Sequence, residues 1–334
     1  MYIYVVVIVF WAIFHQNGNV LTAWAERNTW REMPESLQAV GKPLGMIQVV
    51  DDAPGVVRSR ETLNGEEHSV RVGGLHRPEA DALSRRMATL NLAPEIVKDD
   101  PLASDTGAVF SATVVVPDRG TGKEIAEKLL GSSDRVPLVY NDYLATLPRE
   151  QWPTVEQPAK LISTELFQSL NPFFVVLLSL LLVIPLFSWL AKRGQEPSTP
   201  AKIALGLFIT GLSTLVMIAA VAVSNNGMEK VSAWWLVGTY AVITCGELCL
   251  SPMGLSLVSK LSPARLTAVM MGGWFLSTSI GNKLAGVLGH MGSDSPNKSL
   301  VFYINFAGAM ICAVLLFIAV KRIRTVLKEK TGHY

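Results

Sequence analysis

The sequence predicts a membrane protein of the all-α class: six apolar helices, with a small extramembrane α+β domain inserted after the first. Three observations predict it. Half of the 334 residues are hydrophobic and 17% are charged, with a mean hydropathy of +0.35, too apolar for an ordinary soluble chain. Six apolar runs reach the roughly 20 residues needed to span a bilayer. Between the first and second of them, residues 26–165 turn charged and rich in Gly and Pro. The net charge of +2, with no basic cluster interleaved with aromatics, excludes a nucleic-acid partner. Cys245, Cys249 and Cys312 all lie inside apolar runs and read as small packing residues, with no disulfide framework or metal spacing.

Residues 1–25 hold the first run, 2–24. Ala23-Trp24-Ala25 resembles a small-x-small cleavage site, so a secretory signal is the rival reading. No Lys or Arg precedes the apolar region, however, whereas signal peptides carry a basic leader, so a retained span is expected. Trp11, His15, Gly18, Asn19 and Thr22 fall at helical spacing and form a polar stripe of the kind that lines a cavity. His15 is either a cavity group titrating near neutral pH or a hydrogen-bonded packing histidine.

Residues 26–165 read as the inserted domain, with short strands at 46–50, 70–72, 109–116 and 136–140 and helices at 78–87 and 123–130. Gly120-Thr-Gly-Lys123 is a poor phosphate loop: Pro117 stands where its first Gly belongs and Glu124 where its Ser or Thr belongs. His68 and His76 lack a metal-ligand pattern.

Residues 166–322 carry the other five runs, 172–191, 203–224, 233–258, 266–289 and 300–320, and residues 323–334 a basic tail. Asn171-Pro172 reads as an N-cap followed by Pro at the first helical position, and Pro185 as a kink further in. Lys192, Arg193, Lys202, Lys260, Arg265, Lys321, Arg322, Arg324, Lys328 and Lys330 fall on one side of the membrane; among the short links, only Lys230 and Lys298 fall on the other. The positive-inside rule then sets both termini in the cytoplasm, residues 26–165 outside, and the basic tail against anionic lipid.

The chemistry centres on Glu247, a carboxylate in mid-run with no Lys or Arg within ten residues on either side. A charge at the middle of a membrane helix costs on the order of 3 kcal/mol or more, so such a group faces a protein cavity and serves binding or proton exchange. The bland alternative is a protonated carboxyl packed between helices. Tyr240, Thr244, Glu247 and Ser251 share one face, and Pro252 loosens the backbone beside it. In the next run Ser277, Gly281, Ala285 and Gly289 recur every four residues, a strip that lets another helix approach closely. Trp274 near its start fits a cavity wall or an interfacial anchor equally well. An enzyme is not expected: there is no His-Glu-x-x-His, and Gly254-Leu-Ser256-Leu lacks the closing Gly of a serine-protease turn.

Six strings together resemble the proton-dependent oligopeptide transporter family of the major facilitator superfamily: Phe10-Trp-Ala-Ile-Phe-His-Gln16, Ala25-Glu-Arg-Asn-Thr29, Gln168-Ser-Leu-Asn-Pro172, Pro197-Ser-Thr-Pro-Ala-Lys202, Gly246-Glu-Leu-Cys-Leu-Ser-Pro252 and Trp274-Phe-Leu-Ser-Thr-Ser-Ile-Gly-Asn282. They match the second half of that family, its seventh to twelfth helices. The resemblance implies a six-helix C-terminal bundle of a major facilitator fold in the plasma membrane. It also implies a substrate pocket at mid-membrane between two bundles that rock against each other. It implies that Glu247 takes the amino terminus of a small peptide, with Asn171, Trp274 and Ser277 lining the pocket and Tyr240 on the same face as Glu247. His15 and Gln16 fall where the family's gating or proton-coupling group lies; the family usually has an acid at His15, so the coupling chemistry is altered there.

The expected partners are small peptides, protons, membrane lipids and an N-terminal six-helix bundle, separate or missing, without which the chain is inactive. No cofactor is expected beyond the proton gradient. The alternative is a non-transporting membrane protein that displays the extracytoplasmic domain for binding.

Overall fold

A computed structural model describes residues 2–62, 65–100, 108–130 and 138–331. The first apolar run is not one helix. Helix α1 (Tyr2–Phe14) gives way to a 3-10 turn (His15–Gly18), and α2 (Val20–Asn28) resumes beyond it. Gly18 and Asn19 are weak helix formers, and the Gln16 side chain competes for backbone by donating to Ala12 O at 3.2 Å. Strand β1 (Thr29–Trp30) and a short helix α3 (Glu35–Gly41) follow.

Residues 47–161 form a compact unit of their own. It contains β2 (Ile47–Val50), β3 (Val57–Thr62), β4 (Gly65–Leu75), α4 (Arg77–Thr89), β5 (Glu95–Lys98), β6 (Phe110–Val116), α5 (Arg119–Leu130) and β7 (Ala159–Ile162), whose last residue falls just beyond the unit. Strands β3-β4-β6-β5 make an antiparallel sheet in that order, and β2 pairs with β7. Val70 and Val72 of β4 and Ala112, Val114 and Val116 of β6 alternate inward. Ala80, Leu83 and Met87 of α4 and Ala126, Leu129 and Leu130 of α5 complete that core. Gly122 lets α5 settle on the sheet, since a Cβ there would lie 2.9 Å from Val57 Cγ1. The strands expected at 46–50, 70–72 and 109–116 are present. Of 136–140, residues 136 and 137 lie outside the described residues and 138–140 form no strand; Val139 O instead accepts from Gly55 N at 2.7 Å.

The remainder is helical. Helix α6 (Glu165–Leu178) passes through one π-turn (Ser179–Val183) into α7 (Ile184–Lys192). Only Ile184 separates the π-turn from Pro185, which cannot donate a backbone hydrogen bond. Helix α8 (Thr199–Val223) is followed by β8 (Val231–Ser232), α9 (Trp234–Leu261), α10 (Thr267–Asp294) and α11 (Leu300–Thr331). Among the described residues four helices are long and apolar enough to cross a membrane: Glu165–Lys192, Thr199–Val223, Trp234–Ser259 and Leu300–Arg322. Six were expected. The first run is broken at His15, leaving Tyr4–Phe14 apolar but short, and α10 is continuous but diluted by Gly, Ser, Asn282 and Lys283.

Small residues bring these helices together. A Cβ on Gly206 of α8 would lie 2.7 Å from Gly246 O of α9, and one on Gly211 would lie 3.1 Å from Ala309 Cβ of α11. The strip on α10 seats α1: a Cβ on Gly281 would lie 2.6 Å from Trp11 Cβ and 2.9 Å from Ile8 O. At one end a clasp ties the links together. Strands β1 and β8 pair in parallel, Thr29 with Val231 and Trp30 with Ser232. The turn after α8 runs through Asn225, Asn226 and Gly227, all at positive φ, where Asn and Gly are the tolerated residues. Asn28 Nδ2 donates to Gly227 O at 2.8 Å, and Asn226 Nδ2 donates to Pro296 O at 2.7 Å.

Candidate functional site

Asn171 and Glu247 meet in the interior of two apolar helices. Asn171 is not an N-cap: α6 begins at Glu165, so Asn171 lies two turns in and Pro172 is inside the helix. Its amide therefore points sideways to α9. Asn171 Nδ2 donates to Glu247 Oε2 at 3.0 Å and to Thr244 Oγ1 at 3.1 Å, and Thr244 Oγ1 donates in turn to Tyr240 O at 2.7 Å. Both amide hydrogens of Asn171 are engaged, which leaves its Oδ1 beside the carboxylate as a second acceptor. Glu247 is only half-buried, whereas Thr244 is fully enclosed. The arrangement is a pair of oxygen acceptors held by a rigid amide. It suits a proton or an ammonium group.

The other predicted residues sit elsewhere. Tyr240 is fully buried in the apolar cluster of Leu21, Trp24, Phe167, Met217 and Leu236. Trp274 is buried against α9, where a Cβ on Gly254 would lie 2.8 Å from its Cζ3, and it packs with Phe10, Leu250 and Leu257. The indole is thus enclosed between α9 and α1. Ser277 Oγ donates to Gly273 O of its own helix at 2.9 Å. Gln16 Nε2 donates to Ala285 O at 3.2 Å, stitching the 3-10 turn to α10. His15 stacks on Trp11 with ring centroids 5.0 Å apart, and its Nε2, the Gln16 Oε1 and the Trp11 Nε1 are buried with no hydrogen-bond partner among the described residues. Among the described residues no hydrogen bond joins His15, Gln16, Trp274 or Ser277 to Glu247.

Two features escaped the sequence reading. Thr244 was legible as a neighbour on the Glu247 face but not as the clamp on Asn171. The close crossing of Gly206 and Gly246, one residue from the carboxylate, had a signal: Gly238, Gly246 and Gly254 recur every eight residues along α9.

Four membrane-capable helices, packed through glycines around a polar pair, define a multi-pass membrane protein. The chain belongs to the POT family, whose model matches residues 150–319. The peptide transporter YePEPT of Yersinia enterocolitica is 36% identical over 178 residues, covering 51% of this chain and 34% of that protein. A di-/tripeptide transporter of Lactococcus lactis is 43% identical over 115 residues, 34% of this chain and 22% of that protein. A crystal structure of peptide transporter POT in complex with sulfate aligns at 35% identity and a TM-score of 0.44, covering 50% of this chain and 32% of that one. The chain thus spans about a third or less of the length of these relatives.

Proposed function

We propose that this chain is the C-terminal, six-helix half of a proton-coupled transporter of di- and tripeptides, with residues 26–165 as an insert on the outer side and both termini in the cytoplasm. The observation that carries the reading is the bond from Asn171 to Glu247, a carboxylate held at mid-span by a residue of another helix. Family membership and the names of the relatives support the substrate class. In a partly dry cavity a lone carboxylate is held neutral by a proton or balanced by a cation. The ammonium end of a peptide is such a cation, and exchange between it and a proton on Glu247 links peptide binding to proton release. Asn171 Oδ1 accepts a second hydrogen from the same ammonium. In this reading Trp274 and Ser277 complete the wall of the pocket, Tyr240 supports it from within the packed core, and His15 and Gln16 act at the break between α1 and α2.

The test is Glu247→Gln in the assembled transporter, with uptake of a labelled dipeptide followed across pH. Gln keeps the shape and loses the charge, so uptake driven by the proton gradient should fall at least tenfold, about 1.4 kcal/mol in transition-state terms. Unchanged uptake with an unchanged pH profile would sink the assignment. A second reading, a displayed binding domain with no transport, draws on the separate core of residues 47–161. It gains ground if a partner is captured by the protein while Glu247→Gln has no effect.

A further inference from the structure

Residues 32–45 form a loop whose two ends are fastened at one place. Arg31 O accepts from Ile162 N at 2.6 Å, and the buried Arg31 guanidinium donates from Nη1 to Ile162 O at 2.7 Å. At the other end Met46 O accepts from Ser163 N at 2.9 Å. Ile162 and Ser163 immediately precede α6, the membrane-capable helix that starts at Glu165. The loop is thereby pinned at the start of α6. Two exposed tryptophans lie at the same end of the helices. Trp30, 45% exposed, lies on β1 just before the loop, and Trp234, 77% exposed, opens α9 just after the paired β8. Exposed tryptophans at helix ends belong to the membrane interface.

Inside the loop, Met33 and Gly41 are buried and Gln38 Nε2 ties back to Met33 O at 3.1 Å. Leu37, Val40 and Leu44 point out, 55%, 60% and 60% exposed. Three aliphatic side chains at this density facing water, on a loop held beside the lipid-facing ends of α6 and α9, would be a costly arrangement. We propose that α3 and the turn after it are an interfacial anchor, with Leu37, Val40 and Leu44 immersed at the headgroup and acyl boundary of the membrane leaflet where α6 begins. The charges of the segment, Glu32, Glu35 and Lys42, remain in water. The anchor fixes the chain to the membrane surface at the point where it departs into residues 47–161. It depends on the membrane character of the helices and not on peptide transport.

The test uses the full chain in phosphatidylcholine and phosphatidylglycerol vesicles. With Cys245, Cys249 and Cys312 replaced by Ser, single cysteines at positions 35, 37, 40, 42 and 44 carry a nitroxide label. Collision with oxygen, which partitions into lipid, is compared with collision with a water-soluble nickel chelate. The ratio is expected to be severalfold higher at 37, 40 and 44 than at 35 and 42. Equal, water-like ratios at all five positions overturn the proposal, and so does shielding of 37, 40 and 44 from both agents, which would mean a protein partner covers them. A second measurement needs no variant: photoactivatable lipid in vesicles holding the unaltered chain should crosslink within residues 35–44. Crosslinks on α6 with none in that segment count against the anchor.

Discussion

At the scale of single residues, the site depends on a side chain that is absent. Gly246 adjoins Glu247, and a Cβ there would press on Thr210 Oγ1 and approach Gly206 O to 2.8 Å. Gly246→Val forces α8 and α9 apart at the level of the carboxylate, at a cost of about 1–3 kcal/mol typical of overpacked interiors. A lower melting temperature in detergent, with Gly246→Ala intermediate, is the expected outcome; an unchanged one would show that the crossing yields freely. Lys230 carries a different prediction. Its Nζ donates to Arg27 O at 2.8 Å in the clasp, where burial, helped by the Arg31 guanidinium, pushes its ammonium down to about 7 from an ordinary 10.5. Between those values the unfolded chain binds the extra proton, so stability contributed here rises with pH over that window, and below 7 the cost of the buried charge is present in full. Lys230→Met should therefore raise the melting temperature more at pH 6 than at pH 9. Equal changes at both would remove Lys230 as the cause.

Among the elements, the sheet of residues 47–161 shows what a sequence can and cannot reveal. Its two central strands, β4 and β6, were legible because Val70, Val72, Val114 and Val116 are β-branched and face a core. The two edges were not. Strand β3 presents Arg58 and Arg60 and β5 presents Glu95 and Lys98, the charged habit of edge strands, which erases the apolar alternation a reader looks for. The break at His15 was equally hidden, because it preserves the hydrophobic run while changing its winding; at Pro185 an irregularity was expected, but not its form as a π-turn. What holds α5 in register is a two-pronged ion pair: Arg119 donates from Nε to Asp51 Oδ2 and from Nη2 to Oδ1 at 3.1 Å, and Asp51 is buried. Asp51→Asn leaves the guanidinium poorly matched in its enclosed seat. A loss of about 3 kcal/mol is expected, towards the low end for breaking a buried pair because Arg119 keeps some solvent contact. Hydrogen exchange should report it as faster exchange in β3, β4 and α5 with α8 and α9 unaltered; uniform protection would contradict it.

For the whole molecule, Glu247 was legible because a charge in an apolar run is conspicuous, whereas its grip by Asn171, itself steadied by Thr244, comes from tertiary packing that no local pattern encodes. Glu247 is only half-buried, and under the proposed function a second bundle would close the site around a peptide. Purified chain alone in liposomes is accordingly expected to give no gradient-driven dipeptide uptake above protein-free vesicles, and measurable uptake would mean the pocket is complete as it stands. One more consequence follows from the paired bonds at Arg31 with Ile162 and Met46 with Ser163. The chain is thus fastened to itself on either side of residues 47–161, so the two ends of that excursion are held together. Its length and content are then nearly free parameters, since lengthening a loop whose ends stay together adds little entropy. Replacing the domain at this locus is expected to leave the fold of the helices in place.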